Sequence, residues 1–215
     1  MPNQVQTGPQ AINDGMVANA RGDNQGSTVV QQYGGKYAEL VRRGLVFTFS
    51  TPSQAILITH ATAGSFPTLW NPLGSGRMLY ILGVCATWIS GTTTVSSLHW
   101  CYTANAGNVA ATGAPVHTYT AVAGLNALVG STMTSSMRFS PTTQTYTAAP
   151  AFLRSSGINL PTASALNTVY RVDYDGDFAV LPGNAVSLTC AVATTTSVFF
   201  PTIITAEVPL PAGVL

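Results

Sequence analysis

VYRVDYDGDFAVLPGNAVSLTCAV, residues 169–192, decides the class of fold. Val169–Tyr174 alternates apolar and polar side chains, as a half-buried strand does. Asp175-Gly176 is a two-residue hairpin signal, and Phe178–Leu181 is a second short apolar run. Pro182-Gly183-Asn184 breaks the chain again before Ala185–Val192 resumes. Strand candidates this short, each closed by turn residues, leave no room for a helical period.

The same grammar extends outward. Downstream, Thr194–Thr196 separates this stretch from a last strand candidate, Ser197–Val208. Upstream, Leu45–Ser50 places Leu45, Phe47 and Phe49 on one face, and Gln54–His60 follows Pro52. The turn-rich segment from Trp70 to Gly76 launches Arg77–Ser90, the most apolar stretch, which reads as a central strand covered on both faces. Gly91 and a Thr triplet lead to a return strand, Val95–Thr103. From Ala104 to about Leu166 the chain reads as long loops, with short strands at Val116–Val122 and Thr142–Thr147. Turn signals at roughly 8–12-residue spacing with almost no helical period predict an all-β antiparallel β-sandwich or barrel, and about eight to ten strands suits a jelly roll. Tyr37, Leu40 and Val41 fall at helical spacing before Gly44, so at most one short helix is expected, within Lys36–Arg43.

Residues 1–43 read as an extended N-terminal arm ending in that helical segment, and residues 44–215 as the sandwich domain. The arm is rich in Gly, Asn and Gln, with no sustained period. Arg21 stands against Asp14 and Asp23, so the arm has no basic excess with which to neutralise nucleic acid. No direct nucleic-acid partner is expected. Neither a secretory leader nor an apolar run long enough for a membrane helix is legible, so no membrane partner is expected either.

Charged residues are 7% of the 215-residue chain and hydrophobic ones 46%, at a net charge of +1. An ordinary soluble domain carries roughly 25% charged residues. Such a chain builds a core yet covers its surface with Thr, Ser, Asn, Gln and Ala, which suits life inside an assembly or work outside the cytoplasm.

Enzyme chemistry has little to draw on. No Asp or Glu occurs between Glu39 and Asp173, and Lys36 is the single lysine. Paired-carboxylate catalysis would have to use Asp14, Asp23, Glu39, Asp173, Asp175, Asp177 and Glu207, three of which crowd one turn. His60, His99 and His117 read as structural, and no G-x-S-x-G elbow is present. Cys85, Cys101 and Cys190 form no C-x-x-C pair and read as buried free thiols. Asp173, Asp175 and Asp177 form a candidate cation site, since alternation would place all three on one face. Against it, Gly176 and Asn184 do not fit an EF-hand, Asp-Gly marks a hairpin, and Arg171 is a ready cationic partner. Arg21-Gly22-Asp23 is a chance tripeptide, and no helix follows Gly74-Ser-Gly76 to make a phosphate cradle. The expectation is no enzyme, no cofactor and no bound metal.

Three stretches carry a family resemblance. They are YAELVRRGLVF (residues 37–47), WNPLGSGRMLY (70–80), and DGDFAVLPGNAVSL (175–188) followed by a Thr-rich strand and Glu207-Val-Pro209. In these the chain resembles head decoration (cement) proteins of tailed bacteriophages and related minor virion structural proteins, and its ending resembles the closing strands of a jelly-roll or TNF-like sandwich. The resemblance covers about a third of the chain and is mostly turn grammar. It implies a virion protein, made in the host cytoplasm, that binds the outer surface of the head as a homotrimer and stabilises it. Its partners would be copies of itself and the major capsid protein, gripped by the arm through Tyr33, Tyr37, Leu40 and Arg42. Two other roles stay open. A tail-fibre or baseplate receptor-binding protein would use loop aromatics such as Tyr119, Tyr146 and Phe152, and a single-jelly-roll coat protein would itself form the shell.

Overall fold

The computed structural model describes residues 35–50, 54–55, 63–65, 67–91, 96–103, 123–140, 143–145, 150–160, 168–190 and 198–211. Tyr33, His60, His117, Tyr119, Tyr146, the Arg21–Asp23 tripeptide and the strand expected at Val116–Val122 lie outside these residues. The chain divides between Glu39 and Leu40 into two units, Met1–Glu39 and Leu40–Leu215.

One short helix, α1 (Ala38–Arg42), precedes the strands. Gly44, at φ 68°, ends it as C-terminal glycines do: its N–H donates to Val41 O and that of Leu45 to Leu40 O. The strands follow as β1 (Val46–Ser50), β2 (Gln54–Ala55), β3 (Ala63–Ser65), β4 (Thr68–Asn71), β5 (Arg77–Ser90), β6 (Ser96–Thr103), β7 (Leu125–Asn126), β8 (Arg138–Ser140), β9 (Thr143–Thr145), β10 (Ala151–Leu160), β11 (Val169–Asp173), β12 (Ala179–Val180), β13 (Asn184–Cys190) and β14 (Val198–Pro209).

They form two antiparallel sheets and a small ribbon, β3-β9. The first sheet runs β11-β5-β14-β1-β7, with β12 also on β5 and β2 on β14; the second runs β10-β6-β13-β4-β8. Of the principal strands β1, β4, β5, β6, β10, β11, β13 and β14, the first, third, sixth and eighth share one sheet. The second, fourth, fifth and seventh share the other. That wiring, last strand beside first, is a jelly roll: the fold is an all-β antiparallel sandwich.

The core lies between the sheets. Phe47, Phe49, Leu79, Ile81, Phe199 and Ile203 of the first sheet meet Leu69, Leu98, Trp100, Val186, Leu188 and Phe139 of the second. Each such side chain contributes about 1.5–3 kcal/mol on full burial. The long apolar run of β5 has a different origin from the one expected. Its register against β14 shifts so that Ile81 faces Thr205 while Gly83 faces Ile204, leaving Leu82 as an extra residue. The bulge reverses the alternation. Leu79 and Ile81 point into the core before it, and Val84, Ala86 and Trp88 after it. Cys85 and Thr87 are only half-buried on the other face and Ile89 is exposed, so the strand is not covered on both faces.

The middle of the chain holds more strand than its composition suggests. β10 is ten residues long, interrupted by register shifts and by Gly157 at φ 80°. Trp70 and Asn71, read as turn, belong to β4. Asn71 is fully buried and holds two turns at once. Its Nδ2 donates to Arg77 O at 2.9 Å and Val180 O at 2.8 Å, while Oδ1 accepts from Ser75 Oγ.

Candidate interaction surface

The two outer faces of the sandwich differ. On the second sheet, opposite the core, Thr68, Cys101, Ser187 and Thr189 are at most 2% exposed. They pair among themselves, Thr68 Oγ1 with Ser187 Oγ at 2.9 Å and Cys101 Sγ with Thr189 Oγ1 at 3.2 Å. The middle of that face is already buried within the chain, while its β10 edge leaves Phe152 exposed. Burial also raises the pKa of the Cys101 thiol, against a smaller opposing effect of the Thr189 hydroxyl.

The outer face of the first sheet is open. Strand alternation aims Val169 and Arg171 of β11, Cys85, Thr87 and Ile89 of β5, Phe200, Thr202 and Ile204 of β14, and Thr48 and Ser50 of β1 away from the core. Cross-strand pairing puts Val169, Thr87 and Phe200 in one row, and Arg171, Cys85, Thr202 and Ser50 in the next. Val169 is 57% exposed, and Phe200 and Ile89 a little over a third. The charges Arg171 and Asp173 on this face neutralise each other, with Arg171 Nη2 3.1 Å from Asp173 Oδ1.

At the opposite edge, β7 pairs Leu125 with Thr48 and leads into an apolar loop. Leu125, Leu128, Val129 and Met133 are all exposed, Val129 at 95%. Backbone and side-chain bonds nevertheless hold this loop in one shape. Ala127 N donates to Val46 O, Asn126 Nδ2 to Gly44 O, Leu128 N to Asn126 Oδ1 and Ser131 N to Leu128 O. Its far end is anchored by Glu207 of β14, a carboxylate 1% exposed that accepts from Ser135 Oγ and, at 2.9 Å, from Ser136 N. Burial pushes the Glu207 pKa up, opposed by those donors and by the nearby Arg77 charge.

Of the arm residues expected to grip a partner, Tyr37 lies just ahead of α1 with Lys36 Nζ 5.6 Å from its ring centroid. Leu40 and Arg42 are on the helix, Leu40 half-buried and Arg42 exposed, and α1 buries none of its residues. The candidate cation site does not assemble among the described residues. The chain reverses at Asp175 (φ 57°) and Gly176 (φ 88°), and Asp177 N donates to Tyr174 O across the turn. Alternation therefore stops before it can align the acids. Asp173 pairs with Arg171, and Asp177 lies 3.5 Å from Arg154. No trio of His, Cys, Asp or Glu among the described residues could hold a metal ion.

Arg154, unnoticed in the sequence, also sits over the rings of Tyr174 and Phe178, at 5.4 and 5.5 Å. His99 Nε2 lies 2.7 Å from Ser97 Oγ, and its ring meets the edge of Phe152. Neither contact supplies the carboxylate that orients a histidine base. The apolar loop was the larger omission. The segment 123–137 has no charge and no clear period, so its sequence reads as filler; only its exposure makes it a surface.

Compared with known proteins, the chain matches no family model, no curated protein and no solved structure.

Proposed function

We propose that this protein is a non-enzymatic structural subunit of a virion, a decoration protein that stabilises a head by binding its outer surface as a homotrimer. The observation that carries the reading is the open outer face of the β11-β5-β14-β1-β7 sheet, where Val169, Ile89 and Phe200 stand exposed among Thr and Ser side chains and Arg171 and Asp173 neutralise each other, on a chain with 7% charged residues. An isolated soluble domain keeps such a face small or charged; a subunit buries it. Supporting it are the neutral polar arm, suited to ordering on a protein surface, and the likeness to phage cement proteins. Three arms on one trimer multiply avidity without any new kind of contact.

The test is co-sedimentation with capsid shells that lack the protein, comparing the full chain with one lacking residues 1–35. Full-length protein pelleting with shells, and the truncated chain remaining in the supernatant, supports the reading. Equal binding by both forms removes the arm from the mechanism, and no binding by either removes the decoration role.

A further inference from the structure

We infer that residues 127–136 form a strap held shut by the buried side chain of Glu207, and that the strap loosens when that carboxyl ionises. The clasp belongs to a single copy of the chain and holds whether or not the chain binds a shell. Alternation along β14 puts Glu207 on the core-facing side with Phe199 and Ile203, in register with Leu79 of β5. The strap meets it between two fixed ends, Asn126, paired with Phe47 of β1, and Met137, buried in the core. Its own attachments are few. Ala127 N donates to Val46 O, and Met133 Sδ rests against Gly44, 2.7 Å from where a Cβ would stand. Ser135 Oγ and Ser136 N donate to the two oxygens of Glu207. A segment with so little pairing of its own belongs to the low-stability end of a fold.

The clasp suits a neutral acid better than a charge. Glu207 is 1% exposed, and Arg77 of β5 acts on it through space without an ion pair. The strap and β1 carry no titratable group, and β14 carries no other. Tyr80 of β5 alternates to the opposite face, while Arg42 and Arg43 ahead of β1 and Arg138 of β8 are exposed. The Ser135 hydroxyl accepts from Met137 N at 3.0 Å and has a second lone pair, so it serves either state of the acid. It donates to the carboxylate or accepts from the carboxylic acid, while Ser136 N donates to the other oxygen. Protonation thus keeps both contacts and removes the buried charge, whereas ionisation leaves a charge that opening would hydrate. Burial raises the carboxyl pKa for that reason, against the Ser135 and Ser136 donors and Arg77. An open strap returns Glu207 to an ordinary value of about 4.3. Closure is therefore strongest below that value and weakens as pH rises from there to the raised closed-state value.

Hydrogen exchange of the full chain tests this, read amide by amide by NMR across the acid-to-neutral range and corrected for intrinsic rates. The opening constants of the Ala127 and Ser136 amides should rise with pH, by at most about tenfold per pH unit for one proton. At each pH they should exceed those of the β13 amides by at least about tenfold, because the strap opens without the sandwich. Glu207→Gln reproduces the neutral acid, its amide donating to Ser135 Oγ and accepting from Ser136 N, so its strap constants should stay level with pH. Ser135→Ala removes a donor that favours the charged form, and the rise should continue to higher pH. Level constants in the wild type, or a rise that persists in Glu207→Gln, overturns the inference. So do strap constants equal to those of β13, which would mark global unfolding. The wild-type comparison of strap with β13 needs no variant, so a misfolded Glu207→Gln chain leaves the inference open to refutation.

Discussion

Trp100 of one sheet and Tyr174, at the end of a strand of the other, are joined across the sandwich. Trp100 Nε1 donates to Tyr174 Oη at 2.9 Å, and that hydroxyl donates onward to Ser156 O at 2.6 Å. The bridge ties β6, the edge strand β10 and the β11–β12 turn together, inside a cluster where Trp100, Tyr174 and Phe178 meet edge to face. Burial raises the Tyr174 pKa, so its hydroxyl keeps the proton it donates.

Tyr174→Phe keeps the ring and removes the hydroxyl, leaving a buried indole N–H without its acceptor. A loss of about 1–3 kcal/mol in unfolding free energy is expected, read from guanidinium titration. A change below about 0.5 kcal/mol would show that the bridge contributes little beyond packing.

Asn71→Asp should be more damaging than Asn71→Ala. The carboxylate would face the Arg77 and Val180 carbonyl oxygens with no proton to give, in a fully buried position. A loss of about 2 kcal/mol or more at neutral pH is expected. Thermal melts at pH 4 and pH 7 check it, with Asn71→Asp recovering part of its loss at the lower pH as its carboxyl is neutralised.

Gly124→Ala would place a methyl group 2.6 Å from the ring of Phe49, which is fully buried and packs on Phe139. The ring has nowhere to move, so overpacking of about 1–3 kcal/mol is expected in a denaturant titration. Wild-type stability in this variant would mean that the segment ahead of the apolar loop yields easily.

Glu207 gives a pH signature. Its folded-state pKa is raised, so the folded chain holds its proton more tightly than the unfolded chain does. That stabilisation is fully present below the unfolded value of about 4.3 and is lost as pH rises through the folded value. Glu207→Gln cannot ionise, and its stability should therefore gain on the wild type as pH rises from 4 to 7. Parallel pH–stability curves for the two proteins would contradict this.

The thiols should separate by burial. Cys101 and Cys190 are at most 1% exposed, whereas Cys85 is half-buried on the open sheet face. In the folded chain a thiol reagent should modify Cys85 first and the other two only on unfolding. Equal rates at all three positions would mean that the sandwich opens readily as a whole.

Local chemistry made the strands around turns legible. Val169–Asp173, Ala179–Val180 and Asn184–Cys190 match the pattern of residues 169–192, because Asp175-Gly176 and Pro182-Gly183 encode their reversals within a few residues. β10 was hidden because Ser155, Ser156 and Gly157 look like a loop; β6 pairs Ser155 with His99 and Asn159 with Ser97, and Ser156 and Gly157 sit in the irregularity between. The grouping of acids at residues 173–177 was visible, but their ion pairs were only half so. Arg171 lies two residues from Asp173, while Arg154 reaches Asp177 from another strand.

The amino-acid sequence by itself determined an all-β chain: turn residues at short intervals forbid long helices, and apolar alternation between them requires faces that pair. The short helix stopped by Gly44 and the scarcity of charge were equally plain in it. Tertiary structure alone decided which face stayed open. The parity of β5 reverses at Leu82 through its register with β14, and Glu207 reaches Ser135 and Ser136 from far along the chain. Both depend on which distant strands meet, and pairing between distant strands is set by the closure of the whole sandwich rather than by any local run of residues.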